Sequence, residues 1–263
     1  MNLSIPKPLL ASIVILMLNG ALVSHAQNLP KVQTTGVKAP VDIKIDGKPT
    51  EWPRFEAYNN ATEFFYTLSN DSNTLYLVVQ ATYHGIIQKI IDGGVTLRLK
   101  STEKARNIPP VEITYPDVIV PYDEGVSSTL RNNKTLSEKQ LSALNKRISE
   151  HIKEIPLNGA KGIDNGKISI YNDLGITANG LIDDKKVYTF ELALPLKYIS
   201  QVIDADGKFG YRMTVNGMIT TDGKHGIIVG GRSSDPSASP IVHDSMGWLV
   251  SPTYLDGTYK LAK

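Results

Sequence analysis

Cysteine is absent from the 263 residues. That excludes disulfides, thiolate metal sites and a cysteine nucleophile, and it excludes a lipid anchor attached through a cysteine. Tryptophan occurs only as Trp52 and Trp248, so a site that needs an indole face has two to choose from. An excess of one charge is also missing: 28 Lys and Arg stand against 26 Asp and Glu, interspersed along the chain. Such a balance argues against nucleic acid or an anionic membrane surface as partner, because both demand a basic field. Catalytic signatures are lacking as well. There is no Gly-x-Ser-x-Gly elbow, no His-Glu-x-x-His helix and no glycine loop joining a strand to a helix. Gly230-Gly231-Arg232 reads as a surface loop.

Long apolar runs are scarce. The one from Leu9 to Leu18 is too short to cross a bilayer core of about 30 Å as a helix. With Lys7 before it and Ser24-His25-Ala26 after it, it has the organisation of a cleavable signal peptide over residues 1–26. The expected destination is the periplasm or the medium, with no integral membrane segment in the mature chain. Removing Lys7 leaves 27 basic against 26 acidic residues. The remaining chain of about 240 residues is long enough to be stable on packing alone. Residues 27–40 read as a polar N-terminal arm, and 41–263 as one domain carrying an insertion at 101–166.

Within that domain the prevailing period is two. Val41 to Ile45, Glu63 to Leu68, Thr74 to Thr82, Val95 to Lys100, Lys167 to Tyr171, Gly175 to Ile182, Val187 to Leu194 and Tyr211 to Met218 alternate or run apolar as strands do. Ser69 to Asn73 reads as a hairpin turn, and Leu75, Leu77 and Val79 mark the inward face of the strand after it. Asp183-Asp184 reads as another turn, and Asp256-Gly257 as a turn into a closing strand. One helix is expected, over Ser137 to Ile155. Leu141, Leu144, Ile148, Ile152 and Ile155 build an apolar stripe, Ser137 with Gln140 forms a capping box, and Pro156 ends it. Nine or ten strands with a single helix predict an all-β fold, an antiparallel β-sandwich with a helix-containing insertion.

Four segments in sequence order resemble the carbohydrate-binding module family 9-like domains. They are Ile45-Asp-Gly-Lys-Pro-Thr-Glu-Trp52, Asn70 to Val79, Phe190-Glu-Leu-Ala-Leu-Pro-Leu196 and Asp256-Gly257. The resemblance implies a β-sandwich related to the DOMON-like modules, whose members are secreted sugar-binding proteins or attachments of glycoside hydrolases, some relatives binding haem instead. The insertion departs from the family pattern, and the aromatic pair with which sugar-binding members grip a saccharide has no evident counterpart in the sequence.

A saccharide site needs aromatic faces for the C–H side of a pyranose and amides or carboxylates for its hydroxyls. Trp248 is the leading ligand-binding candidate, with Tyr66, Tyr83, Tyr115 and Tyr122 as further ones. Trp52 reads as a packing residue under the first turn. Asp71, Asn73 and Asp256 read as turn formers first. With Asp183 and Asp184 they supply the oxygen ligands that a structural calcium ion would use. Glu51, Glu63, Glu112 and Glu191 read as solvated charges. His84, His151, His225 and His243, with Met213, Met218 and Met246, are the axial ligands available to a haem. The expected function is a non-catalytic carbohydrate-binding or glycan-associated module. The alternatives are a carbohydrate-active enzyme with its site in the 101–166 insertion, and a scaffold or interaction protein without a small-molecule ligand. No cofactor is expected; a structural calcium ion is an option that no calcium-loop spacing supports.

Overall fold

The structure of the protein, a computed structural model, is described for residues 29–103, 107–117, 124–132, 135–217 and 247–263. Residues 1–26, read from sequence as a signal peptide, and Tyr122, His225, His243, Met218 and Met246 lie outside the described residues. Eleven strands form two antiparallel sheets. The five-stranded sheet runs in the order β1 (Ala57–Asn59), β2 (Phe64–Asn70), β3 (Thr74–Ala81), β9 (Tyr188–Pro195) and β8 (Thr177–Ile182). The six-stranded sheet runs β11 (Thr253–Lys260), β10 (Lys208–Val215), β4 (Val95–Lys100), β5 (Val111–Tyr115), β6 (Glu154–Asn158) and β7 (Gly166–Ser169). Four helices accompany them among the described residues: α1 (His84–Gly93), α2 (Glu124–Arg131), α3 (Glu138–Ser149) and α4 (Gly247–Val250).

The sheets face each other across one core, as the alternation predicts. Leu75, Leu77 and Val79 of β3 and Tyr188, Phe190, Leu192 and Leu194 of β9 meet Val95, Leu97 and Leu99 of β4 and Phe209, Tyr211 and Met213 of β10. A closed ring of hydrogen bonds joins the sheets. Gln33 N–H donates to the Tyr66 hydroxyl at 2.9 Å, the two hydroxyls of Tyr66 and Tyr211 lie 2.9 Å apart, and Tyr211 donates to the Gln33 carbonyl at 2.7 Å. A tyrosine hydroxyl has one proton, so Tyr66 is the donor to Tyr211. Burial pushes both phenols above their ordinary value.

Gln33 belongs to the N-terminal arm, which is built into the sandwich. Its side-chain amide bonds the Leu68 carbonyl at 2.7 Å and accepts from the Leu68 N–H at 2.8 Å, imitating a neighbouring strand. Further along, Asn70 N–H donates to Val37 and Ala39 N–H to Asn70. The open edge of β2 beyond β1 is thereby covered, which removes a template for edge-to-edge pairing. At the opposite edge of the same sheet, Asn145 of α3 makes the same two-way contact with the backbone of Ile182, both bonds at 2.8 Å.

A second tie fastens the 46–52 segment across the outer face of the five-stranded sheet. Glu191, in the middle of β9, is fully buried. Its carboxylate accepts from Trp52 Nε1 at 2.7 Å, Gly47 N at 2.9 Å and Asp46 N at 3.0 Å. Gly47 has a left-handed φ of 79° and sits so close to Gly180 and Leu181 that a Cβ would meet backbone at 2.8 Å. Burial pushes the Glu191 carboxyl up, and the three N–H donors hold it back. Glu191 is therefore no solvated charge, while Trp52 packs under the first turn as expected.

Several local expectations change. Val41 to Ile45 forms no strand; Val41 is exposed and Asp42 takes a φ of 59°, which interrupts any ladder. Asp256-Gly257 lies within β11, not in a turn, and Gly257 is needed because the Tyr211 ring covers it at 2.2 Å from where a Cβ would stand. The capping box of Ser137 and Gln140 is present, but the helix ends at Ser149. Ile155 instead enters β6, where pairing with β7 outweighs the helical period. The 101–166 segment supplies β5 and β6 to the six-stranded sheet as well as α2 and α3. Of the helices, α1 had its own signal in Ile86, Ile87, Ile90 and Ile91, which are all buried.

The Glu191 tie predicts the effect of Glu191→Gln. The amide would set donors against donors, at a cost of about 2–3 kcal/mol for the group left unsatisfied. The folded-state pKa lies above the unfolded one, so the native state holds the extra proton between them. Glu191 then favours folding below that window and its contribution falls as pH rises through it. Urea unfolding of both proteins across pH 4 to 8 is expected to show this slope in the wild type and its loss in the variant.

Candidate functional site

Two of the aromatic residues singled out from sequence meet on the surface. Tyr83 is the residue at which β3 turns into α1, and Trp248 lies in the short helix α4 that feeds β11. Their rings stack with centroids 6.2 Å apart and planes 30° from parallel. Tyr83 is 46% and Trp248 40% exposed, so each ring keeps area open to solvent. The His84 ring adds to the cluster at 4.6 Å from Tyr83.

The pair is held in place from behind. Leu249 and Val250, next to Trp248, are buried and fix α4. The Trp248 ring edge lies against Gly85, where a Cβ would meet Cη2 at 2.2 Å, so only glycine lets the indole settle there.

Beside Tyr83 opens a depression of about 340 Å³. One wall is the end of β3 with Thr82, Tyr83 and His84. A second comes from Leu130 and Asn132 at the end of α2 and from Thr135. The third is the β8–β9 turn with Asp184, Lys185 and Lys186. The turn is shaped by Asp183, whose carboxylate accepts from Lys185 N at 2.9 Å and Val187 N at 2.8 Å. Lys186 fastens it to α2, its ammonium donating to the carbonyls of Thr129 (3.0 Å) and Asn132. A cation at a helix C-terminus satisfies carbonyls the helix itself leaves open. The result is an aromatic platform next to hydroxyl, amide, carboxylate and ammonium groups in an open cleft.

The other aromatic candidates are elsewhere. Tyr66 is in the sheet-joining ring described above. Tyr115 is 5% exposed, packs on Phe190 at 5.7 Å and has its phenol pushed up by burial. Neither can meet a ligand from solvent, and the reason is their place on inward faces of β2 and β5. The oxygen ligands considered for calcium are engaged or dispersed. Asp71 accepts from Asn73 N, Thr74 N and the Tyr76 hydroxyl. Asp256 forms a two-pronged pair with Arg212 at 2.8 and 2.7 Å. Among the described residues no three His, Asp or Glu side chains gather as metal ligands. Met213 is buried in β10, while His84 and His151 are on the surface.

No family model and no curated protein matches the chain. The site is therefore read from its own geometry. Sequence reasoning missed Thr82, Asn132, Thr135, Lys185 and Lys186. The signal available for three of them was position, since Thr82 ends a strand beside Tyr83, and Lys185 and Lys186 share a turn between two strong strands. Nothing in the sequence places α2 next to either.

The seat under Trp248 makes a prediction. In Gly85→Ala the methyl group displaces the indole, whereas alanine's better helix propensity, worth up to about 1 kcal/mol, supports α1. The expected outcome is a red shift in the Trp248 contribution to fluorescence with the thermal midpoint nearly unchanged, buried Trp52 giving the constant background.

Proposed function

We propose that the protein is an exported, non-catalytic carbohydrate-binding module of the carbohydrate-binding module family 9-like, DOMON-like type, and that it holds a saccharide on the Tyr83–Trp248 pair. The observation that carries this reading is the exposed stacked pair itself, set beside an open cleft with hydrogen-bonding walls. Exposed rings attract the C–H face of a pyranose, and the convergent polar groups orient its hydroxyls. The two-sheet architecture agrees with the resemblance, and so does the Glu191 tie. It joins the Asp46-Gly47 turn and Trp52 to the Phe190-Glu191 strand, so two of the four resembling segments serve one structural purpose. Export rests on the leader at residues 1–26.

Retention of the protein from Gln27 onward on immobilised glycans tests the reading. Trp248→Ala and Tyr83→Ala are each expected to weaken retention about tenfold, corresponding to roughly 1.5 kcal/mol of ring contact, with unchanged circular dichroism. Full retention by both folded variants would overturn the assignment of the site. Release of reducing ends during incubation would overturn the non-catalytic part.

A further inference from the structure

Several surface cations of this protein are matched to carboxylates. Arg98 meets Glu112 at 2.6 Å, Lys167 meets Asp117 at 2.6 Å, Lys208 meets Asp206 at 2.7 Å and Arg212 meets Asp256 at 2.7 Å. The depression beside Tyr83 holds no such pair among the described residues. Among the described residues two lysines line it against one carboxylate, Asp184. Lys186 gives its ammonium to the neutral carbonyls of Thr129 and Asn132 and meets no carboxylate among the described residues. Lys185 is exposed and forms no ion pair among the described residues. The turn that carries it is rigid, since Asp183 closes it from within and Lys186 pins it to α2. An ammonium group carried on a fixed turn at the rim of a cleft, one wall away from an aromatic platform, is a receptor for an anion attached to a ring.

We infer that the saccharide is an acidic one, whose carboxylate or sulfate lies against Lys185 in the depression while a neighbouring sugar ring stacks on Tyr83 and Trp248. This rests on the saccharide reading of the same site. Lys186 is a positioning residue that also adds to the local field, and His84 offers a ring N–H beside it. A free phosphate would satisfy the lysines but would leave the paired rings uncovered, so on the saccharide reading the anion and the ring together point to a charged glycan.

The test is retention on immobilised polysaccharides of three kinds: uronate (polygalacturonate and alginate), sulfated (heparin and chondroitin sulfate) and neutral (cellulose, xylan and mannan). Retention on a uronate or sulfated arm, lost at about 0.5 M salt where screening falls to a few ångströms, is expected, and which arm retains the protein identifies the anion. Lys185→Ala is expected to weaken it about fivefold, the upper end for one exposed charge pair. Lys44→Ala, a change at an exposed lysine outside the cleft, is expected to leave it unchanged. Retention confined to neutral glycans would overturn this inference and sustain the binding module. Equal losses in the two lysine variants, or none in either, would also overturn it by showing a diffuse or different contact. Silence on every arm would overturn the module reading itself.

Discussion

Three N–H groups from the 46–52 segment converge on one buried carboxylate, and much of the molecule is organised around that meeting. An ionised or neutral carboxyl in the middle of a sheet face would be costly without partners. Asp46, Gly47 and Trp52 supply them, and in return the segment is fastened over β9. With Val78, Ala193 and Trp52 buried outside the main core, the outer face of the five-stranded sheet gains its own packed layer. β9 is therefore buried on both faces, which explains why its polar residues Thr189 and Glu191 are inaccessible.

Closing the sandwich follows the same logic of satisfying backbone groups by side chains. Gln33 and Asn145 each place an amide where a neighbouring strand would have been, on β2 and on β8. The arm and α3 thus serve as edge covers, and the Gln33–Tyr66–Tyr211 ring couples one of those covers to both sheets. The candidate surface lies at the end of β3, where the chain leaves the sheet and three separate segments approach each other.

Residue by residue, the legibility of the sequence tracks how local the controlling force is. Leu75, Leu77 and Val79 point inward as their alternation requires, and Ser137 caps α3 as its spacing with Gln140 requires. Glu191 was misread because a lone carboxylate on a strand carries no local sign of three donors arriving from far upstream. Asp256-Gly257 was misread for a related reason: glycine there accommodates the Tyr211 ring from the adjacent strand, which mimics a turn residue in composition. Tyr83 and Trp248 were recognisable as candidates by type alone, and their pairing was not.

By itself the sequence determined the class of fold, the positions of most strands, the absence of thiol chemistry and the residue types available to a saccharide site. Those follow from period-two hydrophobicity, turn chemistry and composition, all of which act over a few residues. Tertiary structure alone decided which aromatics are core and which are exposed, that Tyr83 meets Trp248 over Gly85, and that Lys185 and Lys186 line a depression with Tyr83. These depend on sheet order and on contacts between distant segments, where burial and hydrogen bonding in the assembled molecule outweigh local preference.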